Sequence, residues 1–218
     1  MTDTFDVGAV LLDMDGTLVD STAVVERVWT AWAHEHGLDP AAVLAVCHGR
    51  QGHETMAELL PDRPREVNVA ENDALLKVET TDLDGVVAIP GAPEFLAALH
   101  DVRHALVTSA DTGLATARMG AAGMALPELS ITAEKVTRSK PDPEGFLAAA
   151  AALHVDPADC LVFEDSPAGI AAAHAAGMPV VAVGPHATDL PAERHIDDYL
   201  GVRVTARPDG RALILIPT

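Results

Sequence analysis

The chain has 218 residues, 49% of them hydrophobic and 3% aromatic, with 33 acidic side chains against 14 basic ones and a formal net charge of -19. Such a length fits one large domain or a core with a smaller insertion, and a field this acidic excludes nucleic acid and anionic membrane as partners, because both would be repelled. A small anionic ligand would need a metal ion and a local cation. Cys47 and Cys160 are two thiols far apart in sequence, so neither a disulfide framework nor a Cys-x-x-Cys metal site is expected. No N-terminal signal pattern and no apolar run of bilayer length is present, which makes a soluble cytoplasmic protein the default expectation.

The run from Val7 to Leu12 is unbroken and apolar, as in a strand buried on both faces of a parallel sheet. It ends in Asp13-Met14-Asp15-Gly16-Thr17. Two carboxylates at the C-terminal end of such a strand lie where open α/β sheets bind ligands, although Asp-x-Asp-Gly by itself is also a common turn. From Ser21 to His36, Val24, Val25, Val28, Trp29 and Trp32 recur at helical spacing. A short helix from Pro40 to Val46, the loop His48-Gly49-Arg50-Gln51-Gly52, a helix from His53 to Leu60 and a polar one from Pro64 to Asp82 follow. Residues 20–88 thus read as a helical block without strand signal, set between two stretches of α/β pattern. The expected division is an α/β core over residues 1–19 and 89–218 with a helical cap over 20–88.

A helix is expected from Pro93 to His100 and a short buried strand over Ala105–Val107, ending in Thr108-Ser109. Hydroxyls and N–H groups there suit an oxyanion, and equally a simple helix N-cap. Lys140 stands in Ser-Lys-Pro-Asp-Pro, one of three lysines in the chain. It could be a plain surface charge or a point cation for a carboxylate and a phosphate. Cys160–Phe163 is another apolar strand and ends in Glu164-Asp165, hard oxygen donors that suit magnesium or cap the next helix. Val180–Val183 is a further buried strand, and alternation around Pro208-Asp209-Gly210 predicts a hairpin.

Asp13-Met-Asp15-Gly-Thr-Leu-Val-Asp-Ser, Thr108-Ser109, Lys140-Pro-Asp-Pro-x-x-Phe and Glu164-Asp165-Ser-Pro-Ala-Gly-Ile resemble, in order, the four motifs of the haloacid dehalogenase superfamily. The helix Val-Glu-Arg-Val-Trp-x-x-Trp, the loop His48-Gly49-Arg50-Gln51 and the closing hairpin look like its sugar-phosphate and hexitol-phosphate phosphatase branch. The resemblance implies a Rossmann-like parallel-sheet core with an inserted α-helical cap, acting as a magnesium-dependent phosphatase. It makes Asp13 the nucleophile and Asp15 the acid and base. Thr108, Ser109 and Lys140 would hold the phosphoryl oxygens, and Asp13, the main-chain carbonyl of Asp15, and Asp165 would hold Mg²⁺. His48, Arg50 and Gln51 are expected to contact the substrate, a small phosphorylated sugar or sugar alcohol, with the protein acting as a monomer. A β-phosphoglucomutase-type mutase shares this core and motif set, and an inactive binding module would keep the fold. A dehalogenase has no use for Asp15, and a phosphonate hydrolase would need a cap lysine, for which only Lys77 is present.

Overall fold

The computed structural model describes residues 2–217. In chain order the elements are β1 (Thr2–Val7), β2 (Ala9–Leu12), β3 (Val19–Asp20), α1 (Thr22–Glu35), α2 (Pro40–Leu44), α3 (Gly52–Leu59), α4 (Arg65–Thr81), β4 (Val87–Ala88) and α5 (Ala92–Ala98). There follow β5 (His104–Val107), α6 (Thr112–Ala121), β6 (Ser130–Ile131), α7 (Glu144–Leu153), β7 (Cys160–Glu164), α8 (Pro167–Ala175), β8 (Val180–Val183), β9 (Arg194–Ile196), β10 (Arg203–Ala206) and β11 (Ala212–Pro217).

Six strands form one parallel sheet in the order β6-β5-β2-β7-β8-β9. The α/β architecture expected from the sequence is therefore present. Alternate residues of β2 feed opposite faces: Val10 and Leu12 pack with Phe95, Leu114 and Phe163, while Ala9 and Leu11 pack with Phe146, Ala149 and Ile170. Helices α5 and α6 cover the first face and α7 and α8 the second, which is why these strands read as continuous apolar runs. Successive connections leave β2 for β5 on one side and reach β7 on the other, so β2 lies at the switch in strand order. A crevice opens there, beyond the carboxyl ends of β5, β2 and β7.

The apolar run from Val7 to Leu12 is two strands rather than one. It breaks at Gly8, whose N–H donates to the Asp159 carbonyl at 2.7 Å. A Cβ on Gly8 would sit 2.9 Å from Val155 Cγ1, so the connection before β7 approaches too closely for any side chain. Ahead of the break, β1 leaves the parallel sheet and pairs antiparallel with β11, in a separate sheet ordered β1-β11-β10. β10 and β11 are the two arms of the expected hairpin.

Helices α1 to α4 lie between β3 and β4 and enclose their own apolar cluster of Val25, Trp29, Trp32, Val43 and Met56. Asp20, Val87 and Ala88, within the stretch read as purely helical, belong instead to the two-residue antiparallel ribbon β3–β4 through which the chain leaves and rejoins the core. Two residues are too few to produce a readable alternation. Among the described residues, no helix is long and apolar enough to cross a membrane.

Candidate active site

Asp13 follows directly on β2 and is 5% exposed. Its N–H donates to the Phe163 carbonyl at 3.0 Å, which extends the β2–β7 ladder by one residue and fixes where the carboxylate points. Lys140, carried by the loop before α7, reaches beneath it: Nζ lies 2.6 Å from Asp13 Oδ1 and 2.7 Å from Glu164 Oε1. The ammonium also stands 5.3 Å from the centre of the Phe146 ring, a cation–π distance.

Glu164 is fully buried at the end of β7. Its second oxygen, Oε2, accepts from the Ser166 N–H at 2.6 Å and the Ser166 hydroxyl at 3.0 Å. Ser166 Oγ in turn accepts from the Gly169 N–H at 3.0 Å, capping α8. Both oxygens of Glu164 are thus occupied. A Cβ at Gly169 would lie 1.6 Å from Glu164 Oε1, so only glycine lets this carboxylate tuck under the helix. Gly169→Ala is expected to displace Glu164 from Lys140 and cost about 3 kcal/mol. A denaturation midpoint equal to that of the parent would show instead that Glu164 has room to move.

Asp15 lies two residues beyond Asp13. Ser21 Oγ donates to its Oδ1 at 2.7 Å, and Arg118 Nη1 approaches Oδ2 at 2.8 Å. Between the two aspartates and α1 the backbone turns through Gly16, at φ +79°, where a Cβ would overlap Asp165 Oδ2 at 1.9 Å. Thr108 and Ser109 follow directly on β5. The Thr108 hydroxyl accepts from the Ala110 N–H at 3.1 Å, and the Ser109 hydroxyl donates to the Gly49 carbonyl of the helical block at 3.1 Å.

Negative charge exceeds positive at this centre. Asp13, Glu164 and Asp165 can each bring one oxygen within 4.8 Å of the others, against the single ammonium of Lys140. Burial lifts the Asp13 carboxyl to about 7, outweighing the opposing pull of Lys140. Burial and the neighbouring Glu164 and Asp13 carboxylates hold Asp165 well above the ordinary aspartate range. Burial alone would lower the Lys140 ammonium, but the Asp13 and Glu164 carboxylates outweigh it and hold it above the ordinary lysine range. Uncompensated carboxylates with hard oxygen donors are what a small divalent cation requires. With Glu164 committed to Lys140 and Ser166, Asp13 and Asp165 have the oxygens to offer.

Above the carboxylates lies a cavity of about 430 Å³, walled by the strand ends on one side and by α1, α4 and the loop before α3 on the other. His48 and Arg50 line it. The His48 ring is driven toward its neutral form by burial. Arg50 Nε donates to the Val46 carbonyl at 3.1 Å and its Nη1 pairs with Glu58 at 2.7 Å. Gln51 turns away toward the seam with the core, where its amide donates to the Ala133 carbonyl at 3.5 Å. A hydrogen bond from the Ser139 hydroxyl to Glu54 crosses the same seam.

The family model for haloacid dehalogenase-like hydrolases matches residues 7–177, which includes every site residue named above. The chain belongs to the haloacid dehalogenase-like hydrolases. Among its hydrolase relatives, hexitol phosphatase A of Escherichia coli is 40% identical over 210 residues, covering 94% of this chain and 97% of the relative. 2-Deoxyglucose-6-phosphate phosphatase 1 of Saccharomyces cerevisiae is 30% identical over 202 residues, covering 82% of this chain and 80% of that one. A crystal structure of β-phosphoglucomutase from Clostridium difficile superposes with a TM-score of 0.72 at 22% identity, over 88% of this chain and 91% of the other. That last likeness is one of fold.

In this hydrolase, Asp13, Asp15, Thr108, Ser109 and Asp165 all line the cavity, with Lys140 behind Asp13. Two further groups, Arg118 and Glu79, were not singled out from the sequence as site residues, whereas Glu164 was read there as one of two acids at the end of its strand. Glu164 anchors Lys140, while Arg118 of α6 and Glu79 of α4 stand in the cavity wall beside Asp15.

Proposed function

We propose that the protein hydrolyses phosphate monoesters of small sugars or sugar alcohols, with Asp13 as the nucleophile. The observation that carries this reading is a buried carboxylate at a strand end, bonded to Lys140 at 2.6 Å and facing the same cavity as a second carboxylate, Asp15. An Asp13 oxygen attacks phosphorus, the P–O bond to the leaving alcohol breaks, and the phosphoryl group remains on the aspartate as an acyl phosphate. Asp15, carrying a proton at this stage, delivers it to the leaving oxygen. Water, deprotonated by Asp15, then attacks phosphorus and releases inorganic phosphate, restoring both carboxyl groups.

Lys140, the Thr108 hydroxyl and the main chain at Ser109 hold the nonbridging oxygens, giving positive charge and donors where negative charge accumulates, while the Thr108 N–H stays with the Ile131 carbonyl and the Ser109 hydroxyl with Gly49. The residues fitted to hold Mg²⁺ are Asp13 and Asp165 with the main-chain carbonyl of Asp15, and there the ion would supply charge neutralisation between nucleophile and phosphate. Helices α1 to α4 act as a cap that walls the cavity off from water. His48 and Arg50 contribute to that wall, while Gln51 sits at the seam with the core.

The test is phosphate release with and without Mg²⁺ across hexose, deoxyhexose, hexitol, pentose and glycerol phosphates, with β-glucose 1-phosphate included and its products identified. Mg²⁺-dependent release favouring hexose or hexitol phosphates is the expected result. Isomerised sugar phosphate with little free phosphate would assign a mutase instead, and no turnover of any ester would leave a binding module.

A further inference from the structure

Arg118 and Glu79 take no part in the steps above, yet both stand in the cavity wall. The Arg118 side chain is 3% exposed and the Glu79 side chain 8%. Arg118 Nη1 lies 2.8 Å from Asp15 Oδ2, and Nη2 lies 3.0 Å from Glu79 Oε2. Its Nε is buried without a partner. The other oxygen of Glu79, Oε1, makes no hydrogen bond among the described residues.

Packing alone does not account for Glu79. Half-exposed Asp15 and buried Glu79 share the one guanidinium of Arg118, so Glu79 carries a desolvation cost that an apolar side chain would not. Its neighbours on the same face of α4, Leu75 and Leu76, meet the cavity with apolar side chains. Leucine at 79 would continue that face.

We propose that Arg118 and Glu79 form a hydroxyl-recognition pair, reading the OH on the carbon next to the phosphorylated carbon of the substrate. The inference rests on the phosphatase reading, because it places the ester oxygen at Asp15. For Asp15 to protonate that oxygen, the two must come within hydrogen-bond reach. The substituent on the adjacent carbon then lies about one hydrogen-bond length further on, at Arg118 and Glu79. A hydroxyl accepts and donates, matching a guanidinium that only donates beside a carboxyl group with an acceptor oxygen to spare. A methylene in the same place would displace water from both ions and return nothing, the situation in which polar sites reject a deoxy analogue most strongly. Asn72, on the same face of α4 two helical turns and about 10 Å before Glu79, offers the next polar group. The leucines between them face the carbon chain. The substrate class is therefore a polyol phosphate with a free hydroxyl beside the ester carbon.

The experiment compares kcat/KM of the Mg²⁺-loaded protein for a hexitol 6-phosphate and its 5-deoxy analogue. The parent protein is expected to favour the hydroxylated ester by about 30-fold or more. Glu79→Leu should bring that ratio to within about threefold of unity, chiefly by slowing the hydroxylated ester, while Glu79→Gln, which keeps an acceptor oxygen, should retain most of it. Equal turnover of the two esters by the parent, a measurement that needs no variant, would overturn the proposal. So would an equal loss on both esters in Glu79→Leu. If neither ester is turned over, the phosphatase reading fails separately, and titration of both esters into Asp13→Asn decides this one: tighter binding of the hydroxylated ester supports the pair, and equal binding removes it.

Discussion

Asp13→Asn is expected to lower kcat by about 10⁴-fold or more while leaving the protein at least as stable as its parent. The two effects share one cause. At the end of β2 the carboxylate is placed for attack on phosphorus, and burial there lifts its pKa from the ordinary 3.8 to about 7. A folded-state value above the unfolded one means that the folded protein binds this proton more tightly. The contribution of Asp13 to stability is therefore fully present below about pH 4 and is lost as pH rises through about 7. Asparagine of nearly equal size carries no such dependence. In metal-free protein near pH 8, Asp13→Asn should melt higher, by roughly 2–4 °C for each kcal/mol gained, and the excess should shrink toward pH 4. A variant with parental kcat would remove Asp13 from the chemistry. One that melts lower at every pH would show that the Lys140 contact outweighs the burial cost.

Lys140→Met is expected to be the most damaging single change to the folded state. Lys140 is the shared partner of Asp13 and Glu164, at 2.6 and 2.7 Å, and all three side chains are buried. Methionine fills most of the volume but leaves two carboxylates facing each other without a cation. Breaking a buried pair from one side costs about 3–5 kcal/mol, or roughly 6–20 °C in melting temperature for a chain of this size. Since Asp13 holds its proton to about 7 even beside the ammonium, it takes one up more readily without it. Lowering the pH from about 7.5 to about 5.5 should then recover part of the loss. Thermal melts at the two pH values decide the matter. A deficit that stays constant would mean that lost packing around Phe146, and not exposed charge, explains the damage.

The residues most legible in the sequence were those carried by consecutive stretches. Asp13, Asp15, Thr108 and Asp165 each follow an apolar run that ends in polar groups, and a strand buried on both faces leaves little doubt about where its carboxyl end lies. Arg118 and Glu79 carry no such marker, since each is a single charge inside a helix. The available signal was positional. Arg118 shares a buried face of α6 with Leu114, Ala115 and Met119, and Glu79 follows Leu75 and Leu76 at i+4 and i+3 on α4. A charge on the apolar side of an amphipathic helix asks for a partner, but spacing cannot say which element supplies it. The break at Gly8 was hidden for a different reason. Both sides of it are apolar, and the demand for glycine comes from Val155, which is far away in sequence. β6 and β9, of two and three residues, fall below the length at which a period can be seen.

The antiparallel pairing of β1 with β11 has a consequence for synthesis. Asp6 opposes Leu213 and Val7 opposes Ala212, so the strand leading straight into the nucleophile has its sheet partner on residues made some two hundred positions later. On the ribosome, β1 must therefore remain an unpaired edge while the parallel sheet behind it assembles, a period in which such edges invite association between chains. Contacts of that sequence separation are also among the slowest to form. A release-stalled chain ending near residue 205 should accordingly hold a protease-sensitive N-terminal segment that becomes resistant once residues 212–217 emerge. Cleavage at the same rate before and after would show that β1 is held by the parallel sheet alone.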